Sequence, residues 1–193
     1  KKRKGAQHMK KINLSAGTFL AIISFSIAGS VIYELPYIRN VYYDKFVEAF
    51  GMTNAQVGFL MSAYAVGCLL LYIPGGILAD KFSTKKMLVL SLIGTGALGI
   101  VMALSMNYVT ALIAFFLFAV TTSFVFWAAL NKGLRIIGGK EDSGSTYGWY
   151  YALGSVISLV CGLGFWALYT STENSHDAMF RTIMAMSIAV IVS

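Results

Sequence analysis

Six apolar runs, at about residues 14–35, 56–79, 87–106, 108–130, 147–169 and 180–193, leave this chain few ways to fold. The first five hold about 20 residues or more, and about 20 residues at 1.5 Å each cross a bilayer core of roughly 30 Å. Water cannot satisfy backbone groups there, so each run is expected to be a helix. The sixth run differs. After Arg181 about a dozen residues remain, too few to span. Either helix 6 is completed by missing sequence or the chain is cut within it, and the cut is the favoured reading. Composition agrees with a membrane bundle: 58% of residues are hydrophobic and 12% charged, where a soluble domain carries about a quarter charged.

The net charge of +7 raises the question of nucleic acid. Placement answers it. With the N-terminus cytoplasmic, the inner segments hold Lys10, Lys11, Lys81, Lys85, Lys86, Lys132, Arg135 and Lys140. The outer segments hold Arg39, Lys45 and Arg181. Eight against three is a positive-inside bias, so the basic excess records orientation and no nucleic-acid partner is needed. Residues 1–9, "KKRKGAQHM", match nothing that follows and read as a tag or cloning remnant ahead of Met9. The first apolar run leads into bulky and charged residues, so no cleavable signal peptide is expected. Residues 10–193 are read as a single transmembrane unit.

The connections carry information too. Asn107 is nearly all that separates the third and fourth runs. The outer segment from Leu35 to Ala55 is rich in Tyr37, Tyr42, Tyr43, Phe46 and Phe50, which suits a membrane–water interface. Part of it is expected to continue helix 1 beyond a bend at Pro36. "NKGLRIIGGKEDSGS" reads as an amphipathic stub followed by a Gly-rich turn. Small residues recur every fourth position at Thr95, Gly99 and Ala103, and at Gly154, Ser158 and Gly162, the spacing that lets membrane helices approach closely. Cys68 and Cys161 lie inside apolar runs without a partner at ligand spacing, so they read as small buried hydrophobes.

The turn "GGILADKFSTKK", residues 75–86, stands between runs two and three on the cytoplasmic side. Gly75 and Gly76 remove bulk where another helix end could pack. Asp80 can accept from backbone donors at a helix N-terminus. Ser83 or Thr84 can cap helix 3. On this physics alone an ordinary positive-inside loop competes equally well.

The spacing G-x-x-x-D-K followed by a basic pair, in that loop of an N-in bundle, resembles the signature of the major facilitator superfamily. Gly76, Asp80, Lys81 and Lys85 match it residue by residue. Ser83 stands where the family usually has Gly, and Thr84 where it often has Arg. The resemblance implies the N-terminal half of a twelve-helix transporter, six helices in two inverted three-helix repeats, with the acidic residue helping to lock the outward-facing state. "LPYI", with "TNAQVGFLMSAY" following, is similar to the organophosphate and organic-anion branch. Ala28 occupies the place of that branch's anion-binding Arg. Helix 5, "YALGSVISLVCGLG", lacks the Gly-Pro of drug–proton antiporters.

In such transporters substrate binds between the halves near the midplane, and the resemblance implies that helices 1, 4 and 5 line the cavity. Ionisable residues inside the membrane are functional candidates by default. Here Glu34 qualifies, as a coupling site or gate with Arg39 nearby, against an interfacial charge pairing with Arg39 or Lys45. Tyr33, Trp127, Tyr150 and Tyr151 are the substrate-binding candidates, because each joins an apolar body to a hydrogen-bonding tip. Tyr147 is placed near the inner interface. Ser24, Ser26, Ser30, Thr121, Thr122 and Ser123 can instead bond back to their own helices. No catalytic, metal-binding or cofactor-binding constellation appears.

The sequence thus reads as half of a secondary transporter in a bacterial inner membrane. It would move a small solute, an organic anion or a sugar-like compound, by alternating access, with a C-terminal half or a second copy as partner. The rival reading is a non-transporting six-helix scaffold or partner subunit.

Overall fold

The computed structural model describes residues 16–139 and 143–193. The tag reading and Lys10, Lys11 and Lys140 fall outside the described residues. Every regular element is helical: α1 (Ala16–Ile32), α2 (Arg39–Ala49), α3 (Asn54–Lys81), α4 (Thr84–Ser105), α5 (Tyr108–Phe118), a π-helical stretch (Ala119–Trp127), α6 (Ala128–Gly138), α7 (Ser143–Thr170) and α8 (Ser175–Val192). Span 1 is α1 continued by α2, and span 4 is α5, the π stretch and α6. Spans 2, 3, 5 and 6 are α3, α4, α7 and α8. Among the described residues five helices are long and apolar enough to cross a membrane, and α1 is a shorter apolar helix.

Local chemistry explains the boundaries. Residues 33–38 form turns around the buried Pro36, and α2 carries the chain onward. Thr53 and Gln56 make a reciprocal capping box that starts α3. At the tight outer turn Met106 adopts a left-handed conformation, and Asn107 accepts from the Thr110 N–H to begin α5. Ser83 stands at the N-cap of α4 with extended backbone, but no side chain caps that helix.

Two boundaries differ from the sequence expectation. The fourth span runs eight residues past run four, because α6 carries it to Gly138 and the amphipathic stub forms its last turns. The sixth helix begins at Ser175 because Asn174 accepts from the His176 and Asp177 N–H groups. His176 therefore lies in the first turn. Arg181 lies inside the helix on an exposed face. Counting apolar residues misses such a start because polar residues populate the interfacial turn.

Packing pairs the spans across the chain. Span 1 lies on span 5, span 2 on span 4, and span 3 on span 6. Exchanging spans 1, 2, 3 with 4, 5, 6 leaves this pairing unchanged, as expected of two inverted three-helix repeats. Small residues allow the close approaches. A Cβ on Gly96 would stand 2.7 Å from the Ser187 carbonyl, and one on Gly99 would strike Ser187 and Leu35. Thr95, Gly99 and Ala103 are all buried. On α7, Gly154 meets Ser30, whereas Gly162 faces open space. The stripe on α4 is thus a packing seam along its length. The one on α7 packs closely at Gly154 and is open at Gly162.

Candidate functional site

The two irregular spans meet. The turns at 33–38 break span 1, and the π stretch widens span 4 where α-helical bonding would be expected. A π turn shifts each hydrogen bond to the fifth residue and is concentrated at functional positions. Three successive hydroxyls on it reach outward. Thr121 is bonded to Thr95 at 2.7 Å, Thr122 to Tyr64 at 3.0 Å, and Ser123 donates to the Cys68 Sγ at 2.9 Å. The expected back-bonding is also seen. Ser24, Ser26, Ser30, Thr121 and Thr122 each lie within bonding distance of a carbonyl three or four residues earlier. Ser26 and Ser30 in addition reach the Tyr150 and Gly154 carbonyls of α7.

Between the irregular stretches and α3 runs a groove of about 480 Å³. It is lined by Tyr33, Tyr37, Tyr64, Cys68, Tyr72, Ser123 and Trp127. Its aromatic rings are in register: Tyr33 packs edge-on to Phe126 at 6.2 Å, Tyr33 meets Tyr37 at 6.3 Å, and Tyr37 is edge-on to Tyr64 at 5.8 Å. No charged side chain lines it. Toward the cytoplasmic turn the groove joins a larger cleft of about 690 Å³, sharing Tyr72, Ser123 and Trp127. This cleft adds Gly76, Asp80, Asn131, Lys132 and Arg135.

The sequence candidates are therefore distributed. Tyr33 and Trp127 share the groove. Tyr150 is buried behind it, its ring packed on Tyr151 and its hydroxyl against Gly29. Tyr151 points away and is 53% exposed. Tyr147 donates to the Asn131 Oδ1 at 2.9 Å and so ties α7 to α6. Glu34 is half-buried, outside the groove lining, and within electrostatic reach of Tyr42 and of Cys161 on α7. Neither Arg39 nor Lys45 forms an ion pair with it. The Arg39 Nε is buried without a partner, and Lys45 is engaged by backbone carbonyls.

Gly76 and Asp80 are exposed in the cleft, and Lys81 and Lys85 are exposed as well, Lys85 on a separate apolar cleft beside Phe25. The glycines divide their work. A Cβ on Gly75 would stand 2.6 Å from the Phe124 carbonyl of the π stretch, whereas Gly76 has nothing within 4 Å.

Tyr37, Tyr64, Cys68, Tyr72, Ser123 and Lys132 were not among the site candidates from sequence, where Tyr37 read as an interfacial aromatic, Cys68 as a buried hydrophobe, Ser123 as a back-bonding hydroxyl and Lys132 as a cytoplasmic charge. For three of them a signal existed: Tyr64, Cys68 and Tyr72 recur every fourth residue, which places them on one face of a helix. The π stretch left no such signal.

Spans paired 1 with 5, 2 with 4 and 3 with 6, with five helices among the described residues long enough to cross a bilayer, define a polytopic helical membrane protein. The family model described as Major Facilitator Superfamily matches residues 14–193. The chain belongs to that superfamily. It is 36% identical over 137 residues to the inner membrane protein YqcE of Escherichia coli, covering 71% of this chain and 32% of that protein. It is 28% identical over 145 residues to the inner membrane protein YihN, covering 75% and 34%. With the L-fucose-proton symporter of the same organism it shares 30% identity over 133 residues, covering 65% and 30%. The chain spans about a third of the length of these curated relatives. No solved structure matches it significantly. It is a multi-pass helical membrane protein with inner-membrane proteins as relatives.

Proposed function

We propose that the chain forms one half of a secondary transporter that moves a small, neutral, hydroxyl-bearing solute by alternating access. The aromatic groove would be one wall of its substrate path. The observation that carries this reading is that both spans deliver their irregular stretches to one groove. Tyr33 and Tyr37 come from the break in span 1, and Ser123 and Trp127 from the π stretch of span 4. Span 1 is broken by turns while span 4 stays helical through its π stretch, and such irregular stretches are concentrated at functional positions.

The lining favours the sugar-like solute over the organic anion. Aromatic faces suit the apolar side of a sugar ring, while phenol, indole and hydroxyl tips exchange hydrogen bonds with its edge. An anion would want a cation, and none of the groove's own lining residues is one, Lys132 and Arg135 standing in the adjoining cleft. The similarity to the L-fucose-proton symporter supports the same choice. The groove is open on one side, which calls for a facing half, supplied by further chain or a second copy. Spans 2 and 5, the least buried, present Leu69, Ile73, Val156 and Leu159 as apolar surface for that half or for lipid. Glu34, the one described carboxylate that is not exposed, is the proton-coupling or gating group of this reading, with Arg39 five residues on at the start of α2. Asp80, with Gly76, Lys81 and Lys85, serves as the conformational-switch turn.

Cys68 lies in the groove and supplies the test. In a Cys161→Ser background, a methanethiosulfonate reagent should label Cys68. Neutral hexoses and deoxyhexoses should slow that labelling, while dicarboxylates and phosphate esters should not. Protection by the anions alone would replace the neutral solute with an organic anion. Labelling indifferent to every solute would remove the groove from the substrate path and favour the scaffold reading.

A further inference from the structure

Two lysines at opposite ends of the bundle make the same kind of contact. On α6, the Lys132 Nζ donates to the Ala79 carbonyl at 2.6 Å and the Phe82 carbonyl at 3.3 Å, both at the C-terminal end of α3. On α2, the Lys45 Nζ donates to the Thr172 carbonyl at 2.6 Å and the Tyr169 carbonyl at 3.0 Å, at the C-terminal end of α7, and stands 4.7 Å from the Tyr169 ring centroid. In each case the two acceptors are three residues apart. The last carbonyls of a helix have no partner within it and carry the negative end of its dipole, so an ammonium is well matched to them.

The exchange of spans that preserves the packing also maps one contact onto the other. Lys45 stands on the continuation of span 1 and holds span 5. Lys132 stands on the continuation of span 4 and holds span 2. We propose that Lys45 and Lys132 are a symmetry-related pair of end clamps, and that Lys132 is the positioning residue of the Asp80 turn. Asp80 is the residue next to Ala79, so the clamp grips the backbone on both sides of it. Lys132 also lines the cleft that contains Gly76 and Asp80. A lysine expected from sequence to mark the cytoplasmic face therefore holds the end of span 2 against span 4. The inference does not depend on which solute is carried.

Amide hydrogen exchange on the intact protein in lipid nanodiscs tests it. Lys132→Met should speed exchange at residues 79–83 about ten-fold while residues 168–173 stay unchanged. Lys45→Met should do the converse. Lys132→Arg and Lys45→Arg should restore protection, because a guanidinium can reach the same carbonyls. Where a Met variant fails to assemble, the Gln variant carries the comparison, since its shorter side chain should lose protection that Arg retains. Unchanged exchange at 79–83 in both Lys132→Met and Lys132→Gln would overturn the clamp. So would loosening spread equally over both ends of the bundle.

Discussion

At the scale of single residues, neighbouring identical side chains have different work. Gly75 faces the backbone of the π stretch, which cannot yield as a flexible side chain would, whereas Gly76 faces open space. Gly75→Ala should therefore destabilise the bundle by about 1–3 kcal/mol, the usual cost of overpacking. Gly76→Ala should leave its thermal midpoint in detergent unchanged, and equal midpoints for the two variants would contradict this packing. Glu34 belongs to the same scale. It is half-buried and unpaired among the described residues, so Glu34→Gln should insert normally and retain solute exchange while losing acid stimulation of uptake. Acid stimulation that survives the substitution would move coupling elsewhere.

At the scale of elements, the π stretch is held by side chains from its neighbours. Thr122 lies within bonding distance of both the Phe118 carbonyl and the Tyr64 hydroxyl. Thr122→Val leaves a buried phenol without this partner, at a cost of about 1–3 kcal/mol. Tyr64→Phe should cost less, because Thr122 keeps its own-helix carbonyl. Thermal unfolding of the two variants checks the order, and a reversed order would mean the tyrosine contributes mainly by packing. None of this was legible beforehand. Thr121, Thr122 and Ser123 read from sequence as ordinary back-bonding hydroxyls in an apolar run. Their hydroxyls find partners at Tyr64, Cys68 and Thr95, more than twenty residues earlier in the chain.

At the scale of the whole molecule, the cytoplasmic turn and the groove form one continuous depression joined at Tyr72, Ser123 and Trp127. Movement at the turn therefore has a direct physical route to the groove wall. Asp80 makes no ion pair among the described residues, which leaves its carboxylate available to a facing half. In the full-length transporter, Asp80→Asn should cut uptake about ten-fold, the equivalent of one charge-assisted hydrogen bond, with membrane insertion unchanged. Normal uptake would reduce the turn to a marker of orientation.

The sequence by itself located the apolar runs and the loop that carries the family signature, and its charges supplied the expected orientation. Those properties are sums of local transfer free energies and charges, and each residue contributes in place. Pro36 announced the break in span 1 for the same reason, because its missing N–H is a local fact. Tertiary structure alone decided which glycine packs and which faces the cleft. It also decided that Tyr33 and Trp127 share a groove while Tyr150 is buried and Tyr151 turns outward. Lys45 and Lys132 close helix ends for the same reason: their acceptors lie 127 and 53 residues away along the chain. Contacts over such separations exist only once the repeats have folded onto one another.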